Sequence, residues 1–267
     1  KYSADKIMSF LKGKPGTDVK LKLYRKSEDL IIDVDLKRGK VPLKSVESSY
    51  MLNDSIGYLK INRFSQTTFN EFESALKKLL SEGMHKMILD LRDNPGGYLH
   101  SAKQISNTFL SKGQTIVITK TNTGEQEKSV AKGDGIFQKG HIIILVNEQS
   151  ASASEIVAGA IQDNDRGWII GRRTFGKGLV QKQMPLGGGD AVRLTIAEYF
   201  TPSGRSIQKP YSNNRNEYYD DLNNRFENGE MADQTKIPII DSLSYKTPKG
   251  RIVYGGGGII PDEYVSN

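Results

Sequence analysis

The run Ser150-Ala151-Ser152-Ala153-Ser154-Glu155 is followed downstream by Lys177 in Thr174-Phe175-Gly176-Lys177-Gly178, and no histidine lies in either segment. A serine hydroxyl needs a base before it can attack a carbonyl, and a lysine amine is one of the few groups that replaces histidine there. The pair therefore points to acyl transfer, with a serine peptidase as its plainest form. Ser152 opens a predicted helix, whose N-terminus offers unpaired N–H groups to an oxyanion. The same residues also spell a capping box from Ser152 to Glu155, in which the serine only caps. On this segment alone Ser150 and Ser154 are equal candidates. Lys177 tips the reading toward chemistry: it stands between two glycines, near Phe175 and Leu179, a poor setting for a solvated charge. Desolvation there favours a neutral amine able to accept the serine proton. Gln181 follows in a predicted strand, within reach to orient that amine.

A second element of the same chemistry is the turn Asn94-Pro95-Gly96-Gly97, directly after an apolar run. Proline and glycine make tight turns for no functional reason at all. A glycine amide is also unshielded, so this turn can present an N–H to a substrate carbonyl, paired with the amide of Ala153. Two rival readings are weaker. Residues 171–178 match a phosphate-binding loop until the last position, where Gly178 stands in place of Ser or Thr, and a strand rather than a helix follows. His100, with Asp93, offers an alternative base for Ser152, but His100 reads as a residue on a helix surface. His85 and His141 precede strands at the end away from the turn. Three dispersed histidines without ligand spacing argue against a metal.

The elements that must position these residues follow a strand–helix–strand rhythm from about residue 43. Residues 56–62 predict a strand. A helix begins at Phe64 or Ser65 and carries Phe69, Phe72, Leu76, Leu79 and Leu80 at helical spacing. Residues 87–91 and 142–146 predict buried strands, with helices near 98–111 and 152–162 after them. Further strands are expected at 116–119, 168–171, 179–183 and 191–199, the last two joined through Gly187-Gly188-Gly189. The expected class is α/β with mostly parallel strands, whose sites sit beyond the carboxyl ends of the strands. Residues 1–42 predict a smaller unit of helix, turn and hairpin, too small to hold a core alone. Residues 210–235 are rich in Asn, Asp, Glu and Tyr without apolar periodicity, which predicts a surface excursion or partial disorder.

Composition narrows the class further. The 267 residues include no cysteine, which excludes a disulfide framework, a thiolate zinc site and a cysteine nucleophile. The net charge of +7 is spread over scattered lysines without aromatic interleaving, so neither a nucleic acid nor a nucleotide is an expected partner. The apolar runs are of core-strand length, far short of a membrane span. The chain starts at Lys1 with no signal peptide, and reads as a mature or shortened piece.

Four blocks carry a family resemblance: residues 91–97, 146–155, 171–181 and 199–208. In this order they resemble the C-terminal processing peptidases, or tail-specific proteases, and the resemblance covers nearly the whole chain. It implies Ser152 as nucleophile, Lys177 as base, Gln181 as its support, and an oxyanion hole of the Ala153 amide with a turn glycine, Gly96 in preference to Gly97. It further implies a crotonase- or Clp-protease-like layered core over residues 43–267 and no cofactor. Substrates would be proteins or peptides cut near apolar C-termini, in an extracytoplasmic setting such as the periplasm or cell envelope. An activating lipoprotein or a homo-oligomer is compatible with the family. The ending at 253–262 is similar to members from the Bacteroides group. Residues 1–42 resemble only the second half of a PDZ domain, so tail recognition is expected to be impaired. Two other functions remain open on the same fold: a non-catalytic peptide-binding module, and an acyl-CoA enzyme with a similar oxyanion hole that would need neither Ser152 nor Lys177.

Overall fold

Short runs rich in β-branched residues pair side by side because burial on both faces leaves no polar face to present to water. In the computed structural model, which describes residues 2–41, 43–210 and 215–266, the chain divides into two units, 1–43 and 44–267. The first holds α1 (Ala4–Leu11), β1 (Asp18–Arg25) and β2 (Leu30–Lys37), the two strands forming an antiparallel hairpin. Ser3 caps α1, accepting the Lys6 amide at 3.3 Å. No residue of α1 is buried.

The second unit carries β3 (Val46–Met51), β4 (Ile56–Ile61), α2 (Thr68–Ser81), β5 (Lys86–Asp90), α3 (Leu99–Phe109), β6 (Thr115–Thr121) and β7 (Gln126–Val130). These are followed by β8 (His141–Val146), α4 (Ala153–Asp163), β9 (Trp168–Gly171), β10 (Leu179–Gly187) and β11 (Asp190–Phe200). The last elements are α5 (Arg215–Glu227), β12 (Ser244–Lys246), β13 (Ile252–Tyr254) and β14 (Glu263–Tyr264). The main sheet runs β14-β9-β8-β5-β4-β3, parallel throughout except for β3 against β4. Its alternating residues Leu59, Ile61, Met87, Leu89, Ile142, Ile144 and Val146 are buried, and Phe72, Leu76 and Leu79 of α2 with Ile105 and Phe109 of α3 complete the core. All of α4 is buried, so packing holds it along its whole length.

Two expectations change. The expected strand 168–171 joins the parallel sheet as β9, but those at 116–119, 179–183 and 191–199 do not: β10-β11-β6-β7 form a separate antiparallel sheet, with β10 and β7 at its edges. The short Gly187–Gly189 connection permits only an antiparallel return. Within 210–235 the structure has a helix, α5, where sequence predicts irregular chain. Its periodicity is hidden because it docks through charged side chains, Arg225 above all, rather than through an apolar stripe. Residues 211–214 lie outside the described residues.

Candidate active site

The parallel strands β5, β8 and β9 end together, and the turns that leave them are stitched to one another. Leu91 N–H donates to Leu145 O at 2.9 Å, Ala151 N–H to Asn94 O at 3.0 Å, and Phe175 N–H to Ser150 O at 3.0 Å. The three chemistry-bearing segments of the sequence thus form one wall. A cleft of about 680 Å³ opens there, lined by Gly96, Gly97, Ser152, Ala153, Lys177 and Gln181 among others.

The three serines separate by their hydroxyl partners. Ser150 is buried; its Oγ donates to Leu91 O at 2.8 Å and accepts from Asn147 N–H at 3.0 Å. Ser154 is also buried and donates to Asn94 O at 3.0 Å. Ser152 alone faces the cleft. Its backbone sits at φ 55°, ψ −111°, a conformation that a non-glycine residue adopts at a cost of about 1–3 kcal/mol and that clusters at functional turns. The Ser152 hydroxyl has the placement of a capping box but makes no cap hydrogen bond of normal geometry.

Glu155 is the hub of the site. It is fully buried, and its carboxylate accepts four hydrogen bonds. Oε2 takes the amides of Ser152 at 2.7 Å and Lys177 at 2.9 Å; Oε1 takes the Gly176 amide at 2.7 Å and the Thr174 hydroxyl at 2.6 Å. Burial pushes the Glu155 carboxyl up, and the four donors work against that shift. All four neighbours donate, so the ionised form is the one this nest fits. Tyr199 ties the same two segments from their carbonyls: its hydroxyl is directed at Ser152 O (3.0 Å) and at Lys177 O. Burial, with the nearby Glu155 charge, keeps that phenol protonated, its pKa well above the usual range. Sequence reasoning sees Glu155 only as half of a cap and does not single out Tyr199 within its strand.

On the opposite lip, Gly96 (φ +91°) approaches the nucleophile turn so closely that a Cβ would lie 2.5 Å from Ala151 O and 2.8 Å from Ser152 Cβ. Gly97 packs on Phe64, whose carbonyl would meet a Cβ at 2.0 Å. The two turn glycines differ in what their amides do. The Gly96 N–H already donates to Asn94 Oδ1 at 2.9 Å. Among the described residues the amides of Gly97 and Ala153 have no acceptor. Asn94 folds back because its own amide donates to Ile61 O at 2.8 Å, a long-range contact that sequence does not reveal.

Lys177 is half-buried and lines the cleft, and its Nζ makes no hydrogen bond among the described residues. Gln181 lines the cleft too, but it is exposed and makes no hydrogen bond to the lysine; a bulge at Val180/Gln181 in the pairing with β11 interrupts the strand there. His100 is exposed, and Asp93 is engaged by Asn147 instead, through Asn147 Nδ2 at 2.8 Å. His85 and His141 lie at the entry ends of β5 and β8, away from the cleft. The structure therefore gathers Ser152, Ala153, Lys177, Gly96, Gly97 and Gln181; His100 lines the same cleft but without Asp93, which Asn147 engages.

Comparison with known proteins gives the family. Residues 55–213 match the model of peptidase family S41, and the chain belongs to that family. The carboxy-terminal-processing protease of Bartonella bacilliformis is 40% identical over 202 residues, 74% of this chain and 46% of the relative. The probable CtpA-like serine protease of Staphylococcus haemolyticus is 38% identical over 206 residues, 76% of this chain and 40% of the relative. The chain thus spans under half the length of these curated relatives. Among solved structures, the photosystem II D1 C-terminal processing protease aligns with a TM-score of 0.59 at 25% identity, over 95% of this chain and 57% of that one. A putative S41 protease from Bacteroides fragilis aligns at 0.56 and 18% identity, over 77% of this chain and 60% of that one, a likeness of fold.

Proposed function

We propose that this chain carries the catalytic machinery of a serine endopeptidase that works through a Ser–Lys dyad. Membership of family S41 supports the reaction class. The observation that carries the residue assignment is the convergence of the Ser152 and Lys177 backbones on one Glu155 oxygen beside a common cleft. In this reading the neutral Lys177 amine takes the Ser152 proton as Oγ bonds to the scissile carbonyl carbon. The oxyanion is held by the Ala153 and Gly97 amides, aided by the α4 N-terminus. Collapse breaks the C–N bond, and the Lys177 ammonium returns its proton to the departing amine. Water then loses a proton to the same lysine and attacks the acyl-enzyme. Collapse frees the acid product, and the lysine gives its proton back to Ser152. Gln181 is assigned to orient the lysine once substrate closes the cleft.

The substrate class follows from the cleft and from the relatives' names, which describe carboxy-terminal processing. Ile156, Leu179 and Val180 give one side of the cleft an apolar lining, and β10 is a sheet edge with backbone groups open to an extended peptide. Both features favour protein or peptide substrates with apolar C-terminal segments. We read the helix and hairpin of residues 1–42 as part of a PDZ-like peptide-binding unit and the two-sheet arrangement as crotonase-like. An extracytoplasmic location fits a chain without cysteine.

The test compares unstructured peptides with apolar or charged C-termini, incubated with the unmodified chain, Ser152→Ala and Lys177→Ala, with products identified by mass spectrometry. Cleavage by the unmodified chain alone supports the dyad. Cleavage that survives both substitutions overturns it and returns attention to His100.

A further inference from the structure

Lys177 is presented by residues 173–178, a segment with no regular structure, so what holds that segment decides where the amine sits. Glu155 holds its amides. Its carbonyls are held from α5. Arg225, in the last turn of that helix and 1% exposed, donates from Nη1 to Thr174 O at 2.9 Å and Arg173 O at 3.4 Å. Its Nη2 donates to Phe175 O at 3.3 Å. Asp221, one turn earlier, pairs with Arg225 at 3.0 Å and with Lys209 at 3.2 Å. The Lys209 ammonium lies over the rings of Phe175 (4.0 Å) and Tyr218 (4.2 Å), and the Lys209 amide donates to Gly176 O at 3.0 Å. Beyond the helix, Glu230 forms a buried pair with Arg173 at 2.6 Å.

A guanidinium is costly to bury unless its charge and donors are met; here three successive carbonyls take Nη1 and Nη2, and Nε is left to the ion pair with Asp221. Only a planar fork of N–H groups spans such a triplet; a single ammonium cannot. We propose that Arg225 is a positioning residue for Lys177, with α5 clamping the carbonyl side of the lysine-bearing loop while Glu155 clamps its amide side. Arg225 lies beyond residues 55–213, the stretch that the family model matches. The family match itself therefore assigns Arg225 no role. It rests on the reading of Lys177 as the base, and its test is built so that the two can fail separately.

Backbone hydrogen exchange is compared in the unmodified chain, Arg225→Met, Arg225→Lys and Asp221→Asn. The rate of fluorophosphonate attachment to Ser152 is measured in parallel. In Arg225→Met the Gly176 and Lys177 amides should exchange about tenfold faster or more, with the Leu89 and Ile144 amides unchanged. The maximal labelling rate should fall about tenfold while the half-saturating reagent concentration stays within about twofold, a split that mere destabilisation does not produce. Arg225→Lys should recover part of each effect. Unchanged exchange at Gly176 and Lys177, or faster exchange with an unchanged labelling rate, overturns the proposal. If Arg225→Met loses protection throughout, Asp221→Asn decides: faster exchange confined to the loop supports the clamp, and no change there overturns it. Labelling that is indifferent to Lys177→Ala sinks the base reading alone, and the exchange arm still decides the clamp.

Discussion

The amides of Ser152 and Lys177 meet at a single atom, Glu155 Oε2, at 2.7 and 2.9 Å. Two residues far apart in sequence are thereby set by one buried carboxylate, so the nucleophile turn and the base loop cannot shift independently. The arrangement also explains why Glu155 belongs at this point of α4: it is a positioning group that neither side chain of the dyad touches by hydrogen bond.

Glu155→Gln keeps the volume but offers one acceptor oxygen where there were two, and turns an NH₂ toward two donors. The expected cost is about 2–4 kcal/mol of stability, since hydrogen bonds to a buried charge are the strong ones and orphaned donors add to the loss. Peptidase activity should fall by about a hundredfold or more, in the range of a lost transition-state contact. Thermal unfolding and a cleavage assay check both; an unchanged midpoint with unchanged cleavage contradicts the hub.

Gly96→Ala tests the lip. The added Cβ would stand 2.5 Å from Ala151 O at a φ of +91°, so either the turn or the Ser152 backbone must move. Activity should drop below detection and stability by about 1–3 kcal/mol, the scale of strain at such a conformation. A variant with near-normal kcat would show that the two turns need not touch.

Ser154→Ala separates structural from reactive hydroxyls. It removes one buried bond to Asn94 O, worth about 1 kcal/mol, and should leave peptide cleavage within about fivefold of the parent. Ser152→Ala should do the reverse: little change in the unfolding midpoint and no cleavage. If Ser154→Ala abolishes cleavage while the fold is intact, the assignment of the nucleophile fails.

The base of the glycine turn has a pH signature. Burial opposes ionisation of Asp90. Hydrogen bonds from Arg92 and from the Tyr58 hydroxyl outweigh it, and hold the carboxyl below the usual aspartate range. The unfolded chain therefore takes up this proton first as the pH falls. The stabilisation is complete above the unfolded value of about 3.9 and drains as the pH drops toward the folded value. Asp90→Asn should lower the unfolding midpoint at neutral pH and flatten its fall between about pH 5 and pH 2. Parallel curves for parent and variant would contradict this.

How much of the site sequence reveals depends on the kind of contact. The serine run 150–154 and the loop of Lys177 are legible as candidate segments because each carries a local signal: an apolar strand before a helix start, and a glycine-flanked lysine. Ser150 and Ser154 cannot be set apart locally, since what retires them is hydrogen bonding to Leu91 and Asn94 across the sheet. The choice between Gly96 and Gly97 turns on an Asn94 side chain that folds back toward Ile61, a long-range event. Strand β7 is polar and exposed along most of its length, so it carries no apolar alternation to read. Helix α5 escapes for a related reason: its contribution is a guanidinium on backbone carbonyls, which leaves no periodic trace.

The central claim, that Ser152 is made nucleophilic by Lys177, is tested most directly by intact-mass and peptide-mapping analysis after exposure to a fluorophosphonate. The account predicts one adduct, on Ser152, that forms in the unmodified chain and is lost or slowed by about a hundredfold or more in Lys177→Ala, as removal of a general base requires. An adduct on another residue, or equal labelling of Ser152 with and without Lys177, would contradict it.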